Sequence, residues 1–168
     1  MTNTVSDFGK EYDSLVDLVA FGLAPALVLY EWGLKDFGKL GWLTAFIYAA
    51  TTALRLARFN TQDTKGNKYF RGLPCPAAAV LVATALWAVE SYGLTGTWTV
   101  VTALLAMIAL SAAMVSSFHY RSFKDLDLKN RVPFMKLLAL VLVIVLISFD
   151  PPVVLLLLSA GFALSGPF

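Results

Sequence analysis

Long runs of apolar residues alternate with short polar connections along the whole chain. An apolar run of roughly 17–25 residues has the length that crosses a bilayer as an α-helix. Six such runs predict six transmembrane helices: about Asp7 to Tyr30, Phe37 to Arg58, Pro76 to Tyr92, Thr97 to Phe118, Pro133 to Phe149, and Val153 to Phe168. The last two runs are short, and the turn-forming sequence Asp-Pro-Pro at 150–152 separates them as a helical hairpin. We therefore expect an all-α fold, a polytopic membrane helix bundle that forms a single domain over residues 1–168.

Composition supports a membrane protein and excludes several other classes. Of the 168 residues, 58% are hydrophobic and only 14% are charged, whereas a soluble domain of this length carries more charge. The net charge of +2, without a basic and aromatic patch, argues against nucleic-acid binding. The chain has one cysteine, Cys75, so it has no disulfide framework, and we interpret this residue as a small neutral filler.

Basic residues are concentrated in two of the predicted connections. One connection contains Arg55, Arg58, Lys65, Lys68 and Arg71, and the other contains Arg121, Lys124, Lys129, Arg131 and Lys136. Loops rich in lysine and arginine stay on the cytoplasmic side of a membrane. The sequence therefore predicts a multi-pass protein of the cell membrane, with both termini and both basic loops in the cytoplasm.

An acidic pair lies at the start of the first predicted helix. Gly9, Asp13 and Asp17 are spaced by four and form one stripe, with the two carboxylates about 6 Å apart along the axis. An ionised aspartate costs about 2.5–3.5 kcal/mol at mid-depth in a membrane, and like charges at this spacing repel. Either the helix dipole tolerates these acids, or a divalent cation binds between them. Mg²⁺ favours one or two carboxylates completed by substrate phosphates.

The same stretch, GKEYDSLVD, resembles the second half of the signature of the CDP-alcohol phosphatidyltransferase family, D-x-x-D-G-x-x-A-R-x8-G-x3-D-x3-D. Gly9, Asp13 and Asp17 match its last three fixed positions. Further stretches, YDSLVDLVAFGLAPA, RLARFNTQ and FRGLPCPAAA, are similar to phosphatidylserine synthases of bacterial type. The resemblance extends from Gly9 to Ala79, with a weaker similarity in HYRSFKDLDLK.

The first half of that signature is absent, because only eight residues precede Gly9. We expect an N-terminally truncated member that lacks two upstream aspartates and two preceding helices, through a late start codon or a gene fragment. Two carboxylates do not hold two metal ions, so we expect this polypeptide to be inactive alone.

The resemblance implies an enzyme of phospholipid biosynthesis that transfers the phosphatidyl group of CDP-diacylglycerol to L-serine and releases CMP. It implies two divalent metal ions, Mg or Mn, in the intact enzyme, with Asp13 as a ligand and Asp17 as both ligand and general base. It also implies nucleotide or substrate binding by five residues: Gly9, Arg55, Arg58, Asn60 and Arg71. The arginine fork suits the serine carboxylate. The alternative is that the arginines only anchor the helices at the interface.

Other functions stay open at this point. The acceptor alcohol is serine or another alcohol, such as inositol, glycerol phosphate or choline. A non-catalytic membrane protein, either a transporter or a scaffold, is the alternative of a different class, although a transporter would carry polar residues at mid-depth in several spans. The expected partners are CDP-diacylglycerol, L-serine and membrane lipids, without nucleic acid. A homodimer is compatible with the sequence.

Overall fold

A computed structural model describes residues 7–61, 69–94, 96–116, 119–121 and 134–165. The first predicted span is one continuous helical rod made of α1 (Asp7–Asp17), a π-helical segment (Leu18–Leu23) and α2 (Ala24–Trp32). A short 3₁₀ turn, Leu34–Phe37, follows this rod. The other helices are α3 (Lys39–Thr61), α4 (Cys75–Ser91), α5 (Thr97–Val115), α6 (Phe134–Phe149) and α7 (Pro151–Leu164). Each predicted span contains a helix, so the all-α prediction is confirmed.

Length and surface identify this bundle as a membrane structure. Among the residues that the structure describes, three helices are long and apolar enough to cross a bilayer, namely Phe8–Trp32, Lys39–Asn60 and Thr97–Val115, while α4 and α7 are shorter apolar helices. Large apolar side chains such as Leu27, Phe46 and Leu157 are exposed on the outside of the bundle. Such a surface is unfavourable in water and suits contact with lipid chains.

The π-helical segment changes the helical register directly after Asp17. The backbone N–H of Ala24 donates to the carbonyl of Val19, five residues earlier, and Pro25 has no N–H to donate. Gly22 in this segment is buried, and a Cβ atom there would lie 3.1 Å from Cβ of Thr52. The absence of a side chain at Gly22 therefore lets the first rod approach α3 closely.

The interior of the bundle contains a row of hydroxyl side chains on α3. Thr44, Tyr48 and Thr52, spaced by four, are all buried and lie on one face of the helix. Thr44 donates to the carbonyl of Leu40 and Thr52 to that of Tyr48, each at 2.9 Å. The row packs among apolar residues from the neighbouring helices: Cys75, Ala78, Met107, Leu110 and Met114.

Two short strands form in the two predicted connections that are rich in basic residues. β1 (Tyr69–Arg71) pairs antiparallel with β2 (His119–Arg121), and Phe70 lies opposite Tyr120. The sequence does not predict these strands, since three residues are too short for an alternating pattern to be recognised. The pair connects the chain before α4 to the chain after α5.

Candidate active site

Four helix ends meet at one end of the bundle, which we call the site end: the start of α1, the end of α3, the start of α4 and the end of α5. Three side chains of α3 establish this arrangement. The amide of Asn60 donates to Ser14 of α1 at 2.9 Å. Arg55 contacts Cys75 of α4, and Arg58 donates to the carbonyl of Val115 at the end of α5.

The acidic stripe lies on α1 at the site end. Asp13 is exposed and Asp17 is half-buried, one helical turn further into the bundle. Ser14, next to Asp13, donates to the carbonyl of Lys10 at 3.1 Å and accepts from Asn60. This contact holds α1 against α3, so the predicted site residue Asn60 is brought within one turn of both aspartates.

The guanidinium of Arg55 turns into the bundle. Its Nη1 lies 3.4 Å from Sγ of Cys75, and its Nε is buried without a hydrogen-bond partner among the residues that the structure describes. The carboxylate of Asp17 is close enough to the Cys75 thiol for an electrostatic interaction. An arginine that only anchors a helix extends its charged group toward water. The position of Arg55 favours a binding role over an anchoring role.

The other predicted binding residues occupy different positions. Arg58 is half-buried, and its Nη1 donates to the carbonyl of Val115 at 3.5 Å, which ties α3 to α5. Gly9 lies on the exposed part of α1. Arg71 is the last residue of β1, opposite His119, and its side chain falls outside the part of the chain that is described.

The sequence Gly72-Leu73-Pro74 positions the start of α4. Gly72 has a φ of +81°, and a Cβ atom there would collide with the carbonyl oxygen of Met114. The N–H of the fully buried Leu73 donates to the carbonyl of Ala113 at 3.2 Å. This junction seats the start of α4 against the end of α5 and places Cys75 beside Arg55, a contact that the sequence alone does not indicate.

The carboxylates at the site end suit a metal ion shared with a substrate. Within the described ranges, no group of three or more histidine, cysteine, aspartate or glutamate side chains is arranged to hold a metal ion. Asp13 and Asp17 supply carboxylates on one stripe, with one of them exposed at the surface. This donor set fits Mg²⁺ or Mn²⁺ whose coordination is completed by phosphate oxygens.

The site end of this helical membrane bundle thus contains two carboxylates and a half-buried arginine. Residues 1–115 match the family model of the CDP-alcohol phosphatidyltransferases. The chain belongs to this family, whose members generally use a divalent metal ion.

Similar proteins come from bacteria and archaea. The chain is 37% identical over 153 residues to the CDP-diacylglycerol–serine O-phosphatidyltransferase of Helicobacter pylori. The aligned region covers 90% of this chain and 62% of that protein. It is 40% identical over 116 residues to the archaetidylserine synthase of Methanothermobacter thermautotrophicus, covering 69% of this chain and 46% of that protein. A CDP-diacylglycerol–serine O-phosphatidyltransferase of Methanocaldococcus jannaschii is 37% identical over 124 residues, which are 74% of this chain and 55% of that protein. The chain thus spans less than two thirds of the length of these relatives.

Proposed function

We propose that this chain belongs to an enzyme that transfers the phosphatidyl group of CDP-diacylglycerol to the hydroxyl of L-serine, giving phosphatidylserine and CMP. The observation that carries the proposal is the contact of Arg55 with the buried Cys75 at the site end, where Asn60 holds the helix of Asp13 and Asp17 against α3. A general base and a cation for a carboxylate are the groups that an amino-acid acceptor needs. The family match and the names of the relatives support the same reaction.

Serine is favoured over other acceptor alcohols. The relatives from bacteria and archaea have different names, a CDP-diacylglycerol–serine O-phosphatidyltransferase and an archaetidylserine synthase, yet each name includes serine. Arg55 supports this choice, because its buried Nε has no partner among the described residues and a carboxylate would supply one. Inositol and choline have no carboxylate to offer this arginine.

The reaction requires one bond to form and one to break. The serine oxygen attacks the β-phosphorus, the bond from that phosphorus to the bridging oxygen breaks, and CMP leaves with the bonding electrons. We assign Asp17 as the general base that accepts the serine proton, and Asp13 as a metal ligand. A carboxylate is a weak base, so orientation of the hydroxyl by the surrounding residues carries much of the effect.

A divalent ion, Mg²⁺ or Mn²⁺, would neutralise charge on the pyrophosphate oxygens when bound. Asp13 and Asp17 would hold it, with two ions expected in the intact enzyme. Gly9, Arg58 and Arg71 remain candidates for contacts with the nucleotide or the acceptor. Because Arg58 donates to the carbonyl of Val115, its first role is to hold α3 against the end of α5 beside the site.

The proposed orientation places the site end at the cytoplasmic face of the cell membrane. The basic residues Arg55 and Arg58 at this end support it. Cysteines introduced singly into the 121–131 loop of a Cys75→Ala background should react with a membrane-impermeant reagent only in inverted vesicles. Labelling of intact cells would reverse the orientation.

The direct test is CMP release by the full-length protein in lipid nanodiscs that contain CDP-diacylglycerol. We expect release that depends on L-serine and on Mg²⁺ or Mn²⁺, with phosphatidylserine as the lipid product, and its loss on chelation. Inositol, glycerol phosphate and choline, each offered alone and as competitors, define acceptor choice. CMP release that follows one of these alcohols instead of serine would assign a different acceptor; no release with any acceptor would favour a non-catalytic protein.

A further inference from the structure

Tyr48 is a buried residue whose hydroxyl is a candidate for ligand binding. Its side chain is fully buried on the interior face of α3, and its hydroxyl has no hydrogen-bond partner in the described part of the chain. A buried hydroxyl without a partner is unfavourable, most of all inside a membrane, where no bulk water is available. A polar group that the described residues do not supply is therefore expected to bind at this position.

A second unpaired donor lies on the same face of α3. Arg55 follows Tyr48 by seven residues, which is close to two full helical turns. Its buried Nε also lacks a partner among the described residues. Since Nη1 is directed to Cys75, the edge of the guanidinium that contains Nε is left to bind another group.

Cys75 connects the two donors in space. Its thiol is 3.4 Å from Nη1 of Arg55, and it is close enough to the Tyr48 hydroxyl for the two to interact electrostatically. The buried thiol thus contacts the guanidinium of Arg55 and interacts with the hydroxyl of Tyr48. Two donors without an acceptor favour an anionic group, and a carboxylate offers two acceptor oxygens.

We propose that Tyr48 is a substrate-binding residue, whose hydroxyl donates with Nε of Arg55 to the carboxylate of the amino-acid acceptor. This inference rests on the function proposed above and adds the means of acceptor selection. An alcohol without a carboxylate leaves both buried donors unpaired, and sites built to hydrogen-bond a substrate group reject analogues that lack it. Ethanolamine, which is serine without its carboxylate, is the matching probe.

The test compares Tyr48→Phe with the unsubstituted full-length protein in nanodiscs that contain CDP-diacylglycerol. We expect the KM for serine to rise about tenfold, as for a lost hydrogen bond to a charged group, with kcat changed by less than about twofold. The preference for serine over ethanolamine should fall by a similar factor. The KM for CDP-diacylglycerol should not change, and the shift in melting temperature produced by serine should become smaller.

Tyr92→Phe is the matched control, because it removes a hydroxyl that already has a partner. Tyr92 donates to Asp150 at the opposite end of the bundle from Arg55. This variant should retain the KM for serine and the preference over ethanolamine. The melting temperature of Tyr92→Phe should fall. Tyr48→Phe without serine should instead melt at or above the melting temperature of the unsubstituted protein.

The outcomes separate this inference from the proposed function. If the unsubstituted protein uses serine and Tyr48→Phe has the same KM and the same preference, the hydroxyl binds only an internal water and the inference is wrong. The inference is also wrong if Tyr48→Phe without serine lowers the melting temperature more than Tyr92→Phe does. That result would show that the Tyr48 hydroxyl has a structural partner inside the protein. If serine neither supports CMP release nor raises the melting temperature of the unsubstituted protein, the proposed function itself fails.

Discussion

Nη1 of Arg55 lies 3.4 Å from the buried Sγ of Cys75, and this contact joins the end of α3 to the start of α4. It turns a positively charged side chain away from the membrane surface and toward the interior. A charge in that position is costly unless it has a function or a partner. The contact explains how a residue that resembles a helix anchor in the sequence becomes a candidate for substrate binding.

Cys75 is therefore expected to position Arg55. Cys75→Ala removes the sulfur acceptor, and the KM for serine should rise about two- to tenfold, the range for one modest hydrogen bond. Cys75→Ser restores an acceptor and should recover most of the loss. The measurement is serine-dependent CMP release at saturating CDP-diacylglycerol. An unchanged KM in Cys75→Ala would mean that the contact has no part in serine binding.

Arginine at positions 55 and 58 is expected to be required in different ways. Lysine lacks the planar fork, so Arg55→Lys should raise the KM for serine more than Arg58→Lys, with roughly tenfold as the order of the larger effect. Arg58→Lys should raise the serine requirement more modestly, because Arg58 also holds the end of α5. Unchanged serine kinetics in both variants would argue against a serine contact at this end of α3.

Gly72 is expected to be intolerant of any side chain. Gly72→Ala places a Cβ at a φ of +81° and against the carbonyl of Met114, and it should lower the melting temperature and reduce activity. Gly93→Ala is the control, since Gly93 has a φ of +61° and no atom within 4 Å of the added Cβ. Gly93→Ala should lower the free energy of unfolding by only about 1–2 kcal/mol, which is what a side chain costs in a left-handed backbone conformation. Gly72→Ala should lower it further. Equal losses of stability in the two variants would mean that the carbonyl of Met114 moves away from the added Cβ atom at little cost.

The sequence predicted the helices well because membrane-crossing length depends on the local composition alone. It also predicted that Asp13 and Asp17 share a face, because α1 is regular over both residues. It did not indicate the unpaired hydroxyl of Tyr48 or the contact of Cys75 with Arg55, which depend on how α3 and α4 pack. The four-residue spacing of Thr44, Tyr48 and Thr52 inside an apolar span was the signal that a polar interior face was present.

The π-helical segment and the β1–β2 pair were also beyond prediction from the pattern. The π turn depends on Pro25 together with the close packing of Gly22 on Thr52, which is a tertiary contact. The strands depend on two loops that are far apart in the sequence. Both features lie beside the candidate site, where local rules give way to the requirements of the assembled site.

Replacement of both aspartates by asparagine, Asp13→Asn with Asp17→Asn, tests the central claim most directly, because it keeps size and removes charge. We expect serine-dependent CMP release by the full-length protein to fall at least about 100-fold, through loss of the base and of the metal ligands. Its binding of CDP-diacylglycerol in the presence of Mg²⁺ should weaken as well. An asparagine variant that binds the nucleotide lipid equally well and turns it over at the original rate would contradict the account.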